Sequence, residues 1–102
     1  MFIQVFPDQK IATIHELETL TEFEIRCPVA DAEIAANVIG HGAYESDNVH
    51  VWVPIEWIVH AADGQVTDGW ESAFNKMIQF AKTKEWVNTE GTHLRAHIEA
   101  TG

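Results

Sequence analysis

The chain has 102 residues, 46% of them hydrophobic and 22% charged, with four Trp, five Phe and one Cys. That length suits a single domain spanning 1–102, and that composition suits a globular fold rather than a disordered one. A formal net charge of −10 speaks against nucleic acid and anionic membranes as partners, because both are bound largely through Lys and Arg.

Phe2 to Phe6 is a short β-rich run stopped by the turn signal Pro7-Asp8. From Ile11 to Leu20 two readings compete. Thr13 to Glu16 has the spacing of a capping box, followed by Ile14, Leu17 and Leu20 at threes, which predicts a short helix. The same stretch could equally continue a hairpin. Phe23, Ile25 and Cys27 alternate with Glu22, Glu24 and Arg26, the period of a half-buried strand, and Pro28 ends it. Ile34, Ala35, Val38 and Ile39 then repeat with helical spacing behind Asp31 until Gly40-His41-Gly42.

Val49 to Ala62 reads as the strongest strand. Val49, Val51, Val53, Ile55, Trp57 and Val59 mark one face, and His50, Trp52, Glu56, Ile58 and His60 the other. Pro54 cannot donate to a ladder, so this strand is expected at an edge or bulged. A long helix over residues 69–86 follows, capped by Asp68, with Trp70, Phe74, Met77, Ile78 and Ala81 as its apolar stripe. Leu94, Ala96, Ile98 and Ala100 alternate with His93, Arg95, His97 and Glu99, so residues 92–101 read as a closing strand. The expected class is α+β: one sheet of about four strands with two or three helices on one face, a ferredoxin-like arrangement being the first topology to try.

Met1 to His15 hold no basic leader and no long apolar core, so no signal peptide is expected. No apolar run nears the roughly 20 residues a bilayer requires. One cysteine permits no intrachain disulfide, and a reducing, cytoplasmic setting is the expectation.

Six histidines are the most visible chemistry. His93 and His97 have H-x-x-x-H spacing, which on a helix would share a metal. On a strand they lie roughly 13 Å apart at about 3.3 Å per residue, too far for one ion. No metal and no cofactor is therefore expected. If strands 49–62 and 92–101 are neighbours, His50, Glu56 and His60 approach His93, Arg95, His97 and Glu99 across the sheet. Histidine beside glutamate can work as a general acid/base pair, with Trp52 as an aromatic platform; an open, wet sheet face would hold the same residues without function. Cys27 reads as a small buried hydrophobe. Ser46 and Ser72 lack a nucleophile-elbow setting, and Gly40-His41-Gly42 follows a helix rather than preceding one, unlike a phosphate loop.

The charge itself is uneven. Residues 1–68 carry twelve acids against Lys10 and Arg26, whereas residues 69–102 balance four against four. Glu16, Glu18, Glu22 and Glu24 fall in the acidic part and are the expected binding residues, with Trp52 and Arg95. The leading expectation is a non-catalytic module that docks a basic partner protein through this surface, steered by charge. The alternative is a small cofactor-free enzyme or ligand binder using the His/Glu sheet face. A cleft on that face would favour the alternative, and a flat acidic surface the first.

Overall fold

The computed structural model describes residues 1–101. Strands β1 (Phe2–Phe6) and β2 (Ile11–His15) form a hairpin, paired antiparallel from Phe2↔His15 to Phe6↔Ile11. The ambiguous 11–20 stretch thus resolves as strand followed by turn. Its β-branched Ile11, Thr13 and Ile14 suit a pleated surface, and Glu16, at φ 52°, bends the chain so that Leu17 tucks into the core.

Strand β3 (Glu24–Cys27) lies parallel to β1 on its other side. Helix α1 (Ala32–Ile39) starts at Asp31, whose carboxylate accepts from the Ile34 N–H at 3.1 Å, and stops at Gly40, where φ is 65°. It buries Ala32, Ala35, Ala36 and Ile39, a stripe of smaller residues than the expected one, and leaves Ile34 exposed. Strands β4 (Tyr44–Asp47) and β5 (His50–Pro54) form a second hairpin. Strand β6 (His93–Ala100) completes the sheet, parallel to β3 and antiparallel to β5. The order is β2-β1-β3-β6-β5-β4. The α+β class stands, but this six-stranded mixed sheet is larger than the expected four, for which the ferredoxin-like arrangement is only a coarse description.

The largest difference lies in residues 49–62, which do not form one strand. Strand β5 ends at Pro54, and residues Ile55–Ala62 form helix α2. Pro54 sits at the helix N-cap with ψ 126°, where a missing N–H costs nothing to the helix. Once helical, Ile58 and Ala62 share one face and become buried. Nor is β5 an edge strand, since β4 lies outside it.

Helix α3 (Trp70–Thr83) is the long helix expected near 69–86, and it buries Trp70, Phe74, Ile78 and Ala81, with Met77 half-buried. Its cap is Gly69 in the left-handed region (φ 92°), without a side-chain hydrogen bond, rather than Asp68. It stops at Thr83, short of the expected 86, and Val87 beyond it forms a bridge with Leu94. Trp70 and Phe74 stack with centroids 4.8 Å apart, and the Trp70 indole N–H donates to the Leu17 carbonyl at 2.6 Å.

Burial alternates along the strands. Ile3, Val5, Ile25, Cys27, Val51, Val53, Leu94, Ala96 and Ile98 are buried and share one cluster with the helix stripes. Between them Phe2, Gln4, Glu24, Arg26, His50, Trp52, Arg95 and His97 face the other way and stay partly exposed. Helices therefore cover one face of the sheet and leave the other open. Among the described residues no helix is long and apolar enough to cross a membrane.

Candidate functional site

The register of the open face decides which polar side chains meet. His15 pairs with Phe2, Phe2 with Glu24, Glu24 with His97, His97 with His50, and His50 with Asp47, so one row crosses all six strands. Along it the Phe2 ring stacks on His15 at 5.1 Å, and the Arg26 guanidinium lies 3.6 Å from the Phe2 centroid. Glu24 accepts from Arg26 Nε at 3.0 Å. In the next row Arg95 lies opposite Trp52, and Trp52 opposite Tyr44.

Asp47 organises the far end of this face. It accepts from the Val49 N–H (2.9 Å), from His50 Nδ1 (2.8 Å) and from Arg95 Nη2 (2.8 Å), while Arg95 Nε donates to Ser46 (3.0 Å). The Val49 N–H, then the His50 hydrogen bond, hold the Asp47 carboxyl below the usual carboxylate range, with the charges of His50 and Arg95 adding to them. His97 Nε2 donates to Glu99 at 3.1 Å.

Only part of the expected His/Glu constellation is brought together. His50, Arg95, His97 and Glu99 share the open face as β5 and β6 pair. Glu56 and His60 do not, because residues 55–62 are helical. They sit on the outside of α2, 3.9 Å apart and highly exposed. His93 is on β6, but both ring nitrogens are engaged: Nε2 donates to the Gly42 carbonyl at 2.9 Å, and Nδ1 faces Thr92 (2.7 Å) and Asn88 (3.2 Å). His93 and His97 lie on one strand, as expected, and do not converge. Among the described residues no group of three or more His, Cys, Asp or Glu is placed to hold a metal.

The acidic residues spread over two settings. Glu16, Glu18 and Glu22 are exposed on the segment between β2 and β3, while Glu24 is half-buried and paired with Arg26. The Met1 nitrogen donates to the Thr19 and Glu22 carbonyls at 2.5 and 3.1 Å, pinning this segment to the sheet. Burial lowers the pKa of that ammonium, and the carboxylates of Glu16, Glu22 and Glu24 pull it back.

Sequence periodicity gave no sign of the main cavity. Beyond its first half β6 pairs with β3, but β3 does not reach alongside residues 93–96. Residues 86–88 pair there instead, Val87 bridging Leu94, and a gap is left between the 20–24 segment on one side and α3 with Trp86 on the other. Trp86 itself receives the Arg95 N–H through its carbonyl at 2.7 Å. The gap is a half-open cleft of about 1160 Å³. Leu20, Phe23, Met77, Phe80 and Trp86 form its apolar walls, and Glu24, Lys76, His50, Arg95 and His97 its polar lining. Phe80 and Trp86 are 57% and 44% exposed, with their rings edge-to-face at 6.2 Å. Exposed aromatics of this size at a cleft mouth are the signal that could have pointed to it, since each would otherwise favour burial.

Chemically, the site offers an aromatic slot whose lining includes two imidazoles, each bonded to a carboxylate, and a guanidinium. Such a group can donate and accept protons or hold an anionic head. Compared with known proteins, the chain matches no family model, no curated protein and no solved structure.

Proposed function

We propose that this chain binds a small amphipathic ligand in the cleft between α3 and the 20–24 segment. The observation that carries this reading is the cleft itself: about 1160 Å³, with apolar walls and a polar lining that includes His50, Lys76, Arg95 and His97. Ligand pockets are of roughly 300–1,000 Å³, mostly apolar, with a few polar groups that fix orientation. A ligand with a ring-bearing apolar body would lie against Phe23, Met77, Phe80 and Trp86. Its polar head, anionic by preference, would reach Arg95, Lys76 and the imidazoles of His50 and His97. This is the ligand-binding form of the alternative expected for the His/Glu face, without Glu56 and His60.

Anilinonaphthalene sulfonate, an aromatic sulfonate that fluoresces in apolar surroundings, is a suitable probe. Saturable 1:1 binding that Met77→Glu abolishes is the expected result, with near-UV circular dichroism showing intact packing in both proteins. Binding that does not saturate, or that ignores Met77→Glu, would refute the reading.

A second reading keeps the basic partner protein. It is favoured by the exposure of Glu16, Glu18 and Glu22 on one short segment that the Met1 nitrogen holds in place. Association through this surface should slow with salt, because screening shortens the reach of charge to about 10 Å at 0.1 M.

A further inference from the structure

We propose that His50 and His97 form a surface site for a divalent late transition-metal ion such as Zn²⁺. The H-x-x-x-H spacing singles out the wrong partner for His97, because His93 lies farther along the same strand with both nitrogens occupied. The register supplies a different one. His50 and His97 are direct cross-strand partners on β5 and β6. The Ile98 N–H donates to the Val49 carbonyl at 2.8 Å, which makes Val49 and Ile98 the hydrogen-bonded pair and His50 and His97 the adjacent non-hydrogen-bonded one. That is the closer kind of pair, with Cβ atoms about 4.5–5.5 Å apart. Two imidazoles at this spacing can converge on one ion with bonds of about 2.0–2.1 Å.

The carboxylates have set both rings for this task. His50 Nδ1 donates to Asp47 at 2.8 Å, so its Nε2 keeps a lone pair. His97 Nε2 donates to Glu99 at 3.1 Å, so its Nδ1 keeps one. Neither remaining nitrogen has another hydrogen bond among the described residues. A metal-binding histidine commonly gives its other N–H to a carboxylate, which fixes the ring and makes the free nitrogen more basic. Both histidines have such a partner before any ion arrives. Glu24, the parallel-register neighbour of His97, adds negative potential beside the pair, while Arg95, tied to Asp47 and Ser46, opposes it. Water completes the shell, so the ion keeps open positions facing the cleft. Imidazole pairs suit Zn²⁺, Ni²⁺ and Cu²⁺ rather than Mg²⁺ or Ca²⁺, which prefer oxygen.

This site does not depend on the amphipathic-ligand reading, because zinc is titrated with no organic ligand present. Calorimetric titration of chelator-treated protein with ZnCl₂ is expected to show one site. His50→Ala and His97→Ala should each weaken it at least about tenfold, and Asp47→Asn, which neutralises the carboxylate that orients His50 and holds Arg95, by roughly 10-fold or more. His41→Ala, on an exposed loop residue, should leave it unchanged, and far-UV circular dichroism confirms that each variant is folded. Electron paramagnetic resonance of the Cu²⁺ form should show coupling to two imidazole nitrogens. No measurable zinc binding, affinity unchanged in both histidine variants, or a copper spectrum with fewer than two imidazole nitrogens would each overturn the proposal.

Discussion

Truncating Phe74 to alanine tests whether α3 is fixed to the domain as described. The side chain is 0% exposed and lies in the buried cluster shared by sheet and helices. Replacing a buried Phe by Ala costs about 3–5 kcal/mol, as lost transfer energy plus the cavity left behind. The value here should fall in the upper half of that range. The ring also stacks on Trp70 at 4.8 Å with an interplanar angle of 10°, and such a pair contributes about 0.5–1.5 kcal/mol beyond area burial. A domain of this size is stable by roughly 5–15 kcal/mol in total, so the variant should lose about a quarter or more of its margin. Urea unfolding followed by tryptophan fluorescence reads the change. With a slope of about 2 kcal/mol per molar, a loss of about 4 kcal/mol moves the midpoint down by about 2 M. The neighbouring control is Phe80→Ala, whose ring is 57% exposed and whose cost should stay below about 1 kcal/mol. If Phe74→Ala loses less than about 1 kcal/mol, or if the two variants are equally destabilised, the assignment of the buried stripe is wrong.

Trp70→Phe should cost about 1–3 kcal/mol in the same assay, because the Leu17 carbonyl loses its buried donor; no change would mean that water replaces the indole. Gly69→Ala should lower thermal stability by about 1–3 kcal/mol, since its φ of 92° is one that a side chain resists. Asp47 has a depressed folded-state pKa, so its contribution is present above the ordinary carboxylate value near 3.8 and is lost as pH falls through the lower folded value. Asp47→Asn should therefore be less stable than the parent at pH 7 and converge with it in strong acid; an equal deficit at every pH would show that packing, not charge, is lost. His60→Ala should leave probe binding in the cleft unchanged while Arg95→Ala weakens it, measured by fluorescence titration, because His60 lies on the outer face of α2; the reverse order would restore the continuous strand.

Elements whose apolar period was unambiguous were legible in the sequence. The alternation of Leu94, Ala96 and Ile98 with charged neighbours could be buried only as a strand, and it is one. The spacing of Trp70, Phe74, Ile78 and Ala81 fits only a helix, and these are the residues α3 buries. Residues 49–62 satisfied both periods. Ile55, Ile58 and Ala62 fall at helical spacing, yet Val49 to Val59 also alternate, and periodicity alone does not choose between them. The deciding residue was Pro54, read as a strand irregularity although proline is equally at home where a helix begins. Strand β4 escaped for a different reason. Tyr44, Glu45, Ser46 and Asp47 bury nothing fully, so no apolar pattern marks them. They are held by pairing with β5 and by the hydrogen bonds of Arg95 to Ser46 and Asp47.

The site was harder to read than the fold because its geometry is set by register, not by spacing along the chain. A shift of one residue between β5 and β6 would send either His50 or His97 into the core, so their meeting depends on the whole ladder from His50↔His97 to Pro54↔His93. What fixes that ladder is burial on the opposite face: Val51 and Val53 against Leu94 and Ala96. The hydrophobic residues thus choose the register, and the register then brings the two imidazoles together. The same logic separates Glu56 and His60 from the site, because the chain becomes helical after Pro54 and the two-residue period that would have aligned them no longer applies. The cleft follows from length as well. Strand β3 begins at Glu24, opposite His97, and residues 86–88 pair with 93–95 of β6 in its place, so the cleft opens between the 20–24 segment and α3 with Trp86. Ligand capture should therefore respond to changes at Leu20 and Phe23, which line the cleft away from the histidine pair, whereas metal capture by His50 and His97 should not.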